Sequence, residues 1–259
     1  MNKLFRTFFI FLILLSTRGA IAQPNEVKYN KLAEPSDFSQ TSYNDIEHLI
    51  SLSEQHTAIA LQDTQDLDAL MARAPEAQQE LIDLLNHINH ASHTSAIIPA
   101  TKSYARAAQK VQLKFNGDAS QLTDIARASV VANDVNSLLT SYQKLRQSAD
   151  VVQLKNRFAE PKHSGYRDLN VLVKLPQSQM VVEVQFHLND IAEIKSGPEH
   201  QVYEQIQAIE LQAKNQSRAL NDIEKANIAK LRQDSHKQYH KAWLNYKRQS
   251  LYPSSIQAA

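Results

Sequence analysis

One stretch constrains this chain more than any other: GYRDLNVLVKLPQSQMVVEVQFH, Gly165–His187. It reads as two strands, and Pro176-Gln177-Ser178-Gln179 interrupts both patterns as a turn. Strand side chains alternate between faces, so Glu183, Gln185 and His187 share one side while Val182, Val184 and Phe186 share the other. An ordinary surface strand has that stripe, and so does the floor of an active site. The segments around it have to decide.

Those segments alternate in character. SAIIP, DIARASVV and DVVQLKNRF read as strands; TKSYARAAQKVQLKF and DVNSLLTSYQKLRQSA read as helices, the second with Asp134 or Asn136 near its start. Before them, an apolar stripe through Ile46, Leu49, Ile50 and Leu52 and the run opened by Pro75 predict helices. After His187 the pattern is helical almost to the end, with a break at Ser196-Gly197-Pro198. The order implies an α+β fold, a mixed β-sheet framed by N- and C-terminal helices. The expected organisation is a helical module over 42–93, a sheet domain over 94–210 and a helical extension over 211–259. In that extension Tyr239, Trp243 and Tyr246 are expected to pack on the sheet domain.

The N-terminus is of a different kind. Lys3 and Arg6 precede an apolar run from Phe8 to Leu15, and Ala20-Ile21-Ala22 ends it. That three-part pattern predicts a signal-peptide-like segment over 1–22, followed by a polar linker over 23–41. Cleavage after Ala22 would remove Lys3, Arg6 and Arg18, taking 28 basic residues to 25 against 27 acids. The segment is too short for a membrane span with those flanks, so no membrane domain is expected once it is removed. A formal charge of +1 over 259 residues gives no case for bulk nucleic-acid binding. The chain has no cysteine, which excludes disulfides and thiolate chemistry, and its 4 glycines argue against a Gly-rich phosphate loop. Oligomeric state is not legible, and a homo-oligomer stays open.

Three constellations carry chemistry. Lys102, Arg106, Lys110 and Lys114 fall four apart and share one broad side of a helix. They make either a solvated face or a phosphate clamp. Asp124 opens a strand and Glu183 projects from another; together they suit Mg²⁺, which takes one or two carboxylates plus substrate phosphates. The alternative for Asp124 is a simple pairing with Arg127. His87, His90 and His93 look like a metal triplet, but steps of three put the outer two about 120° apart on a helix. No Ser-His-Asp arrangement and no Walker-type loop is present.

In order, TKSYARAAQK, DIARASVV, PKHSGYRDLNVLV and VEVQFH resemble the motifs of the RelA/SpoT family of alarmone synthetases, over about Ile97 to Glu204. The chain is similar to stand-alone small alarmone synthetases, in particular to the RelV type. The resemblance implies a nucleotidyltransferase-like sheet and Mg²⁺-dependent transfer of pyrophosphate from ATP to the 3′-hydroxyl of GDP or GTP. It implies Asp124 and Glu183 as metal ligands, Glu183 as the group activating the hydroxyl, and Arg127 as added catalytic charge. Lys102, Arg106, Lys110 and Lys162 would bind phosphates, an exposed Tyr166 would stack on guanine, and Gln185 would share the Glu183 face. The sequence departs from the family pattern at Ala100, Arg127 and Ser129, at Ser164, Asp168 and Asn170, and at His187, where an arginine is usual. These departures, with the export-like N-terminus and the cytoplasmic location of ATP and GTP, keep two alternatives open. One is a transferase toxin or effector with another acceptor, an adenosine nucleotide or the 3′ end of tRNA. The other is an inactive nucleotide-binding or interaction module.

Overall fold

The computed structural model describes residues 37–56 and 60–251. The signal-like segment and residues 23–36 of the expected linker lie outside them. No helix among the described residues is long and apolar enough to cross a membrane. In chain order the elements are α1 (Asp37–Ser51), β1 (Gln55–His56), α2 (Leu67–Ser92), β2 (Ser95–Ile97), α3 (Tyr104–Phe115), a 3₁₀ turn (Ala119–Gln121) and β3 (Arg127–Ala132). Then come α4 (Val135–Ser148), β4 (Asp150–Asn156), β5 (Leu169–Lys174), β6 (Val181–Leu188), α5 (Asn189–Ser196), α6 (Pro198–Asn215) and α7 (Asp222–Leu251).

The strands form one six-stranded sheet in the order β1-β4-β5-β6-β3-β2. β3 and β6 run parallel and the other neighbours antiparallel, so the sheet is mixed, as the alternation of elements predicted. Val182, Val184 and Phe186 of β6 share a fully buried face with Val171 and Val173 of β5. Tyr142 of α4 meets Phe186 edge-on at 5.9 Å on that face. Burying one such side chain is worth about 1.5–3 kcal/mol, so this face and the helices on it supply much of the drive to fold. The other face carries the polar stripe.

Four expectations need correction. Pro75 does not open a helix; it lies within α2, where Leu70, Ala74, Ala77, Leu81, Leu85 and Ile88 continue one buried stripe across it. Burial along that stripe outweighs the lost backbone bond. The true start is Asp66, whose carboxylate accepts from the Asp68 and Ala69 amides. α1 begins at Asp37, inside the expected linker. β3 begins at Arg127, not Asp124, and Lys102 precedes the Ser103 N-cap of α3 and so lies outside the helix.

Asp134 caps α4 by accepting from the Ser137 amide at 2.7 Å. α7 docks through Tyr239, Trp243 and Tyr246, all buried, with Trp243 against Phe158 at 5.4 Å. The core runs without a gap from Ile46 and Leu49 of α1 through the sheet to Tyr246.

Candidate active site

The polar side of the sheet is built by register. Glu183 stands opposite Arg127 on β3 and Leu172 on β5; Gln185 stands opposite Ser129 and Asn170. Opposed residues project to the same face, so Arg127, Ser129, Asn170, Glu183, Gln185 and His187 line one surface. Within it the Asn170 amide donates to Glu183 Oε1 at 2.6 Å and orients the carboxylate.

Asp124 reaches this surface from the loop before β3. The Lys102 amide donates to the Ile125 carbonyl at 2.9 Å and holds the α3 entry beside that loop. Asp124 Oδ2 then accepts from Lys110 Nζ at 2.7 Å and pairs with Lys102 Nζ at 3.2 Å. Burial alone pushes the Asp124 carboxyl upward, but the Lys110 hydrogen bond and the two ammonium charges outweigh it and hold the carboxyl below its usual range. Burial lowers Lys102. Arg127 folds back, its guanidinium donating to the Asp124 carbonyl at 3.3 Å rather than to the carboxylate. Asp124 Oδ1 is buried without a hydrogen-bond partner. A hard anionic oxygen left free beside cations fits a divalent metal ligand, with Glu183 as the second carboxylate on the same surface.

The expected run of four cations divides. Lys102 and Lys110 converge on Asp124, while Arg106 and Lys114 stand with Lys110 along a cleft between α3 and α6.

Tyr166, expected to be exposed, is buried at 8% exposure. Gly165 makes the turn before it at φ 78°, and α7 presses close: a Cβ on Gly165 would meet the His236 Cα at 3.1 Å. The Tyr166 hydroxyl lies 2.8 Å from Asp168 Oδ2 and 2.7 Å from His187 Nε2. Arg157 donates to both Asp168 oxygens at 2.7 and 3.0 Å. Tyr239 meets the Tyr166 ring edge-on at 5.6 Å, and Lys162 Nζ lies 5.1 Å from its centre. A base stacking on Tyr166 therefore has to displace Lys162 or α7. Burial lowers His187 well below its usual range and raises the Tyr166 hydroxyl far above its own, so both stay neutral. With Asp168 already accepting from Arg157, the Tyr166 hydroxyl donates to Asp168 Oδ2 and lies against His187 Nε2, which Lys195 Nζ also approaches at 3.5 Å.

Arg157, Lys195, Asn170 and His187 belong to this site without any sequence role having been assigned to them. Lys195 returns from α5 to donate to Gln185 Oε1 at 2.6 Å. Its place in a helix gave no signal, because only the β6–α5 turn brings it back. Asn170 and His187 were visible as polar positions on a strand face, which is the one clue that pattern reading offered.

Residues 100–208 match the family model described as the region found in RelA/SpoT proteins. No curated protein matches the chain. Among solved structures, the type VI effector Tas1, crystallised with its immunity protein, is similar with a TM-score of 0.51 and 16% identity, over 69% of this chain and 96% of that one. Small alarmone synthetase 2 from Bacillus subtilis gives a TM-score of 0.50 and 16% identity, over 70% and 98%. At that identity the two structures share the fold.

Proposed function

We propose that this chain, whose residues 100–208 belong to the RelA/SpoT family, transfers pyrophosphate from ATP to the 3′-hydroxyl of GDP or GTP and releases AMP. The observation that carries the reading is Asp124: one oxygen is held by two lysines and the other is buried without a hydrogen-bond partner, in the loop whose carbonyl accepts from Arg127, the residue opposite Glu183. In the reaction the acceptor 3′-oxygen bonds to the β-phosphorus of ATP and the bond from that phosphorus to the α-phosphate oxygen breaks. The hydroxyl proton passes to Glu183, oriented by Asn170, and from there to water. Lys102 and Lys110 screen the charge that gathers on the transferred group. Asp124 and Glu183 would hold Mg²⁺, which when bound adds charge neutralisation on the phosphates. Arg127 stiffens the Asp124 loop, and Gln185, Lys162 and Tyr166 lie toward the acceptor end.

A second acceptor class is favoured by one observation: Tyr166 is buried and its hydroxyl is taken up by Asp168 and His187. An effector with this fold is known, and an adenosine nucleotide or a tRNA 3′ end would not need guanine stacking. The test is to incubate the purified protein with labelled ATP, Mg²⁺ and each of GDP, GTP, ADP and tRNA. A pyrophosphorylated guanosine product, absent with Glu183→Gln, supports the first reading. Product with another acceptor alone replaces the substrate. No transfer by a folded protein leaves a binding module.

A further inference from the structure

Gln62 lies between β1 and α2, outside residues 100–208 that match the family model, and is buried at 5% exposure. A buried side-chain amide left unbonded costs stability, so the places it bonds to are informative. This amide bonds only backbone, in two separate segments. Its Nε2 donates to the Leu122 carbonyl at 3.0 Å and to the Val181 carbonyl at 2.8 Å. Its Oε1 accepts from the Val181 amide at 3.0 Å, and the Gln62 backbone amide donates to the Ser120 carbonyl at 2.8 Å.

Both side-chain anchor points stand two residues before a carboxylate of the candidate site: Leu122 before Asp124, and Val181 before Glu183. β3 begins at Arg127, opposite Glu183, so it has not yet reached the level of Val181. There the Gln62 side chain takes the place of a neighbouring strand and fills both backbone groups of Val181. One nitrogen therefore ties the chain leading into Asp124 to the strand that carries Glu183. Past Asp124 the two segments meet again, where the Glu183 amide donates to the Ala126 carbonyl at 3.4 Å. The Asp124 loop is held to β6 on both sides of its carboxylate, and the shorter bonds are those of Gln62.

Gln62 is itself anchored by its neighbours. Ala60 packs on Val152, Leu172 and Val181, and Arg73 of α2 donates to both carboxylate oxygens of Asp63. A side chain whose own backbone is fixed can set the distance between two segments. Mg²⁺ tolerates little departure from octahedral geometry at about 2.0–2.1 Å, so that distance matters to an ion between two carboxylates.

We infer that Gln62 is a positioning residue for the metal-binding carboxylates, its amide setting the spacing of Asp124 and Glu183. The inference rests on the pyrophosphotransferase reading above and adds to it a residue from the N-terminal part of the chain.

The test measures metal binding apart from turnover. Electron paramagnetic resonance on the full protein without nucleotide gives the Kd of Mn²⁺, and transfer assays give kcat and the KM of each nucleotide. Gln62→Met removes every side-chain bond. Gln62→Glu keeps the oxygen that accepts from the Val181 amide and loses the amide that reaches both carbonyls, so it carries the test if Gln62→Met does not fold. Leu81→Ala, which empties a buried position of α2, is the control for lost stability alone. Circular dichroism and urea unfolding check the fold of each.

In the folded Gln62 variants the Mn²⁺ Kd is expected to rise and kcat to fall, each at least about tenfold, as when a partner behind a metal ligand is lost. The KM of each nucleotide should stay within about threefold, because the binding surfaces are untouched. Leu81→Ala should unfold at lower urea yet keep Kd and kcat within about twofold. A folded Gln62 variant with a Mn²⁺ Kd within about twofold of wild type overturns the inference, and so does equal weakening by Leu81→Ala. If wild type binds Mn²⁺, the Gln62 variants weaken it and no product forms, the pyrophosphotransferase reading fails and the positioning role stands. If wild type makes product but the variants leave the Kd unchanged, the positioning role alone fails. A wild type that binds no Mn²⁺ overturns the carboxylate pair as a metal site, and the role of Gln62 with it.

Discussion

The two ends of the polar sheet face are built in opposite ways. Around Asp124 the groups are charged and partly solvated, and one carboxylate oxygen has no partner. Around Tyr166, the hydroxyl, the Asp168 carboxylate and the Arg157 guanidinium bond one another beneath α7, and of that cluster His187 Nδ1 is left without a hydrogen-bond partner. A buried carboxylate oxygen left unsatisfied is a cost that folding alone does not explain, whereas a mutually bonded network rigidifies the fold it sits in. The first end offers an unpaired carboxylate oxygen, and the second holds its part of the sheet face in shape.

The sharpest way to break that contrast is at Glu183 and Asp124, the carboxylates proposed to serve the reaction. Glu183→Gln should cut pyrophosphate transfer by about 10²–10⁴-fold, the usual contribution of a general base. Asp124→Asn should likewise cost at least about 100-fold in rate. Glu183→Gln keeps an acceptor for the Asn170 amide and should change unfolding free energy by less than about 1 kcal/mol, whereas Asp124→Asn takes the anion from Lys102 and Lys110 and should cost about 1–3 kcal/mol. Product assays beside urea unfolding check this, and a large stability loss with normal rate would reverse the assignment.

At the other end stability should respond first. Asp168→Ala takes from Arg157, with 19% of its side chain exposed, the carboxylate that it bonds directly. A loss of about 3–5 kcal/mol is expected in denaturant unfolding. Tyr166→Phe removes the hydroxyl that links Asp168 to His187 and should cost about 1–3 kcal/mol. If Tyr166→Phe instead leaves stability intact and weakens GDP binding, the hydroxyl serves the acceptor rather than the fold.

The smallest effect is a pH slope. His187 is neutral in the folded protein because burial lowers it well below its usual range, while the unfolded chain takes up a proton near pH 6.5. Below that pH the unfolded state binds the extra proton, so stability falls on acidification, by about 1.4 kcal/mol per pH unit until the folded pKa is reached. His187→Gln should flatten this part of the curve between pH 7.5 and 5.5. Equal slopes in the two proteins would show that His187 is already charged in the fold.

Pattern reading reached β2 to β6, the turn at Pro176–Gln179 and the break at Gly197, because period-two alternation and helix-ending residues are local, but it passed over β1 at Gln55–His56, which lies inside the expected helical module. It missed the course of α2 through Pro75, where burial of a distant stripe overrides a local breaker. It also placed Lys102 and Lys114 in one ribbon. The Ser103 cap starts α3 just after Lys102, so only Lys114 is on the helix, and the two lysines face different surroundings.

The sequence by itself determined which residues share a sheet face, since Glu183, Gln185 and His187 cannot leave one side of β6 without slipping the register and exposing Val182, Val184 and Phe186. Which of those polar groups remain available was decided only by tertiary structure. Lys195 and Arg157 arrive from a helix and from a strand end, and α7 lies over Gly165. Side-chain availability depends on what packs above the face, and that packing joins segments whose separation along the chain leaves no periodic trace.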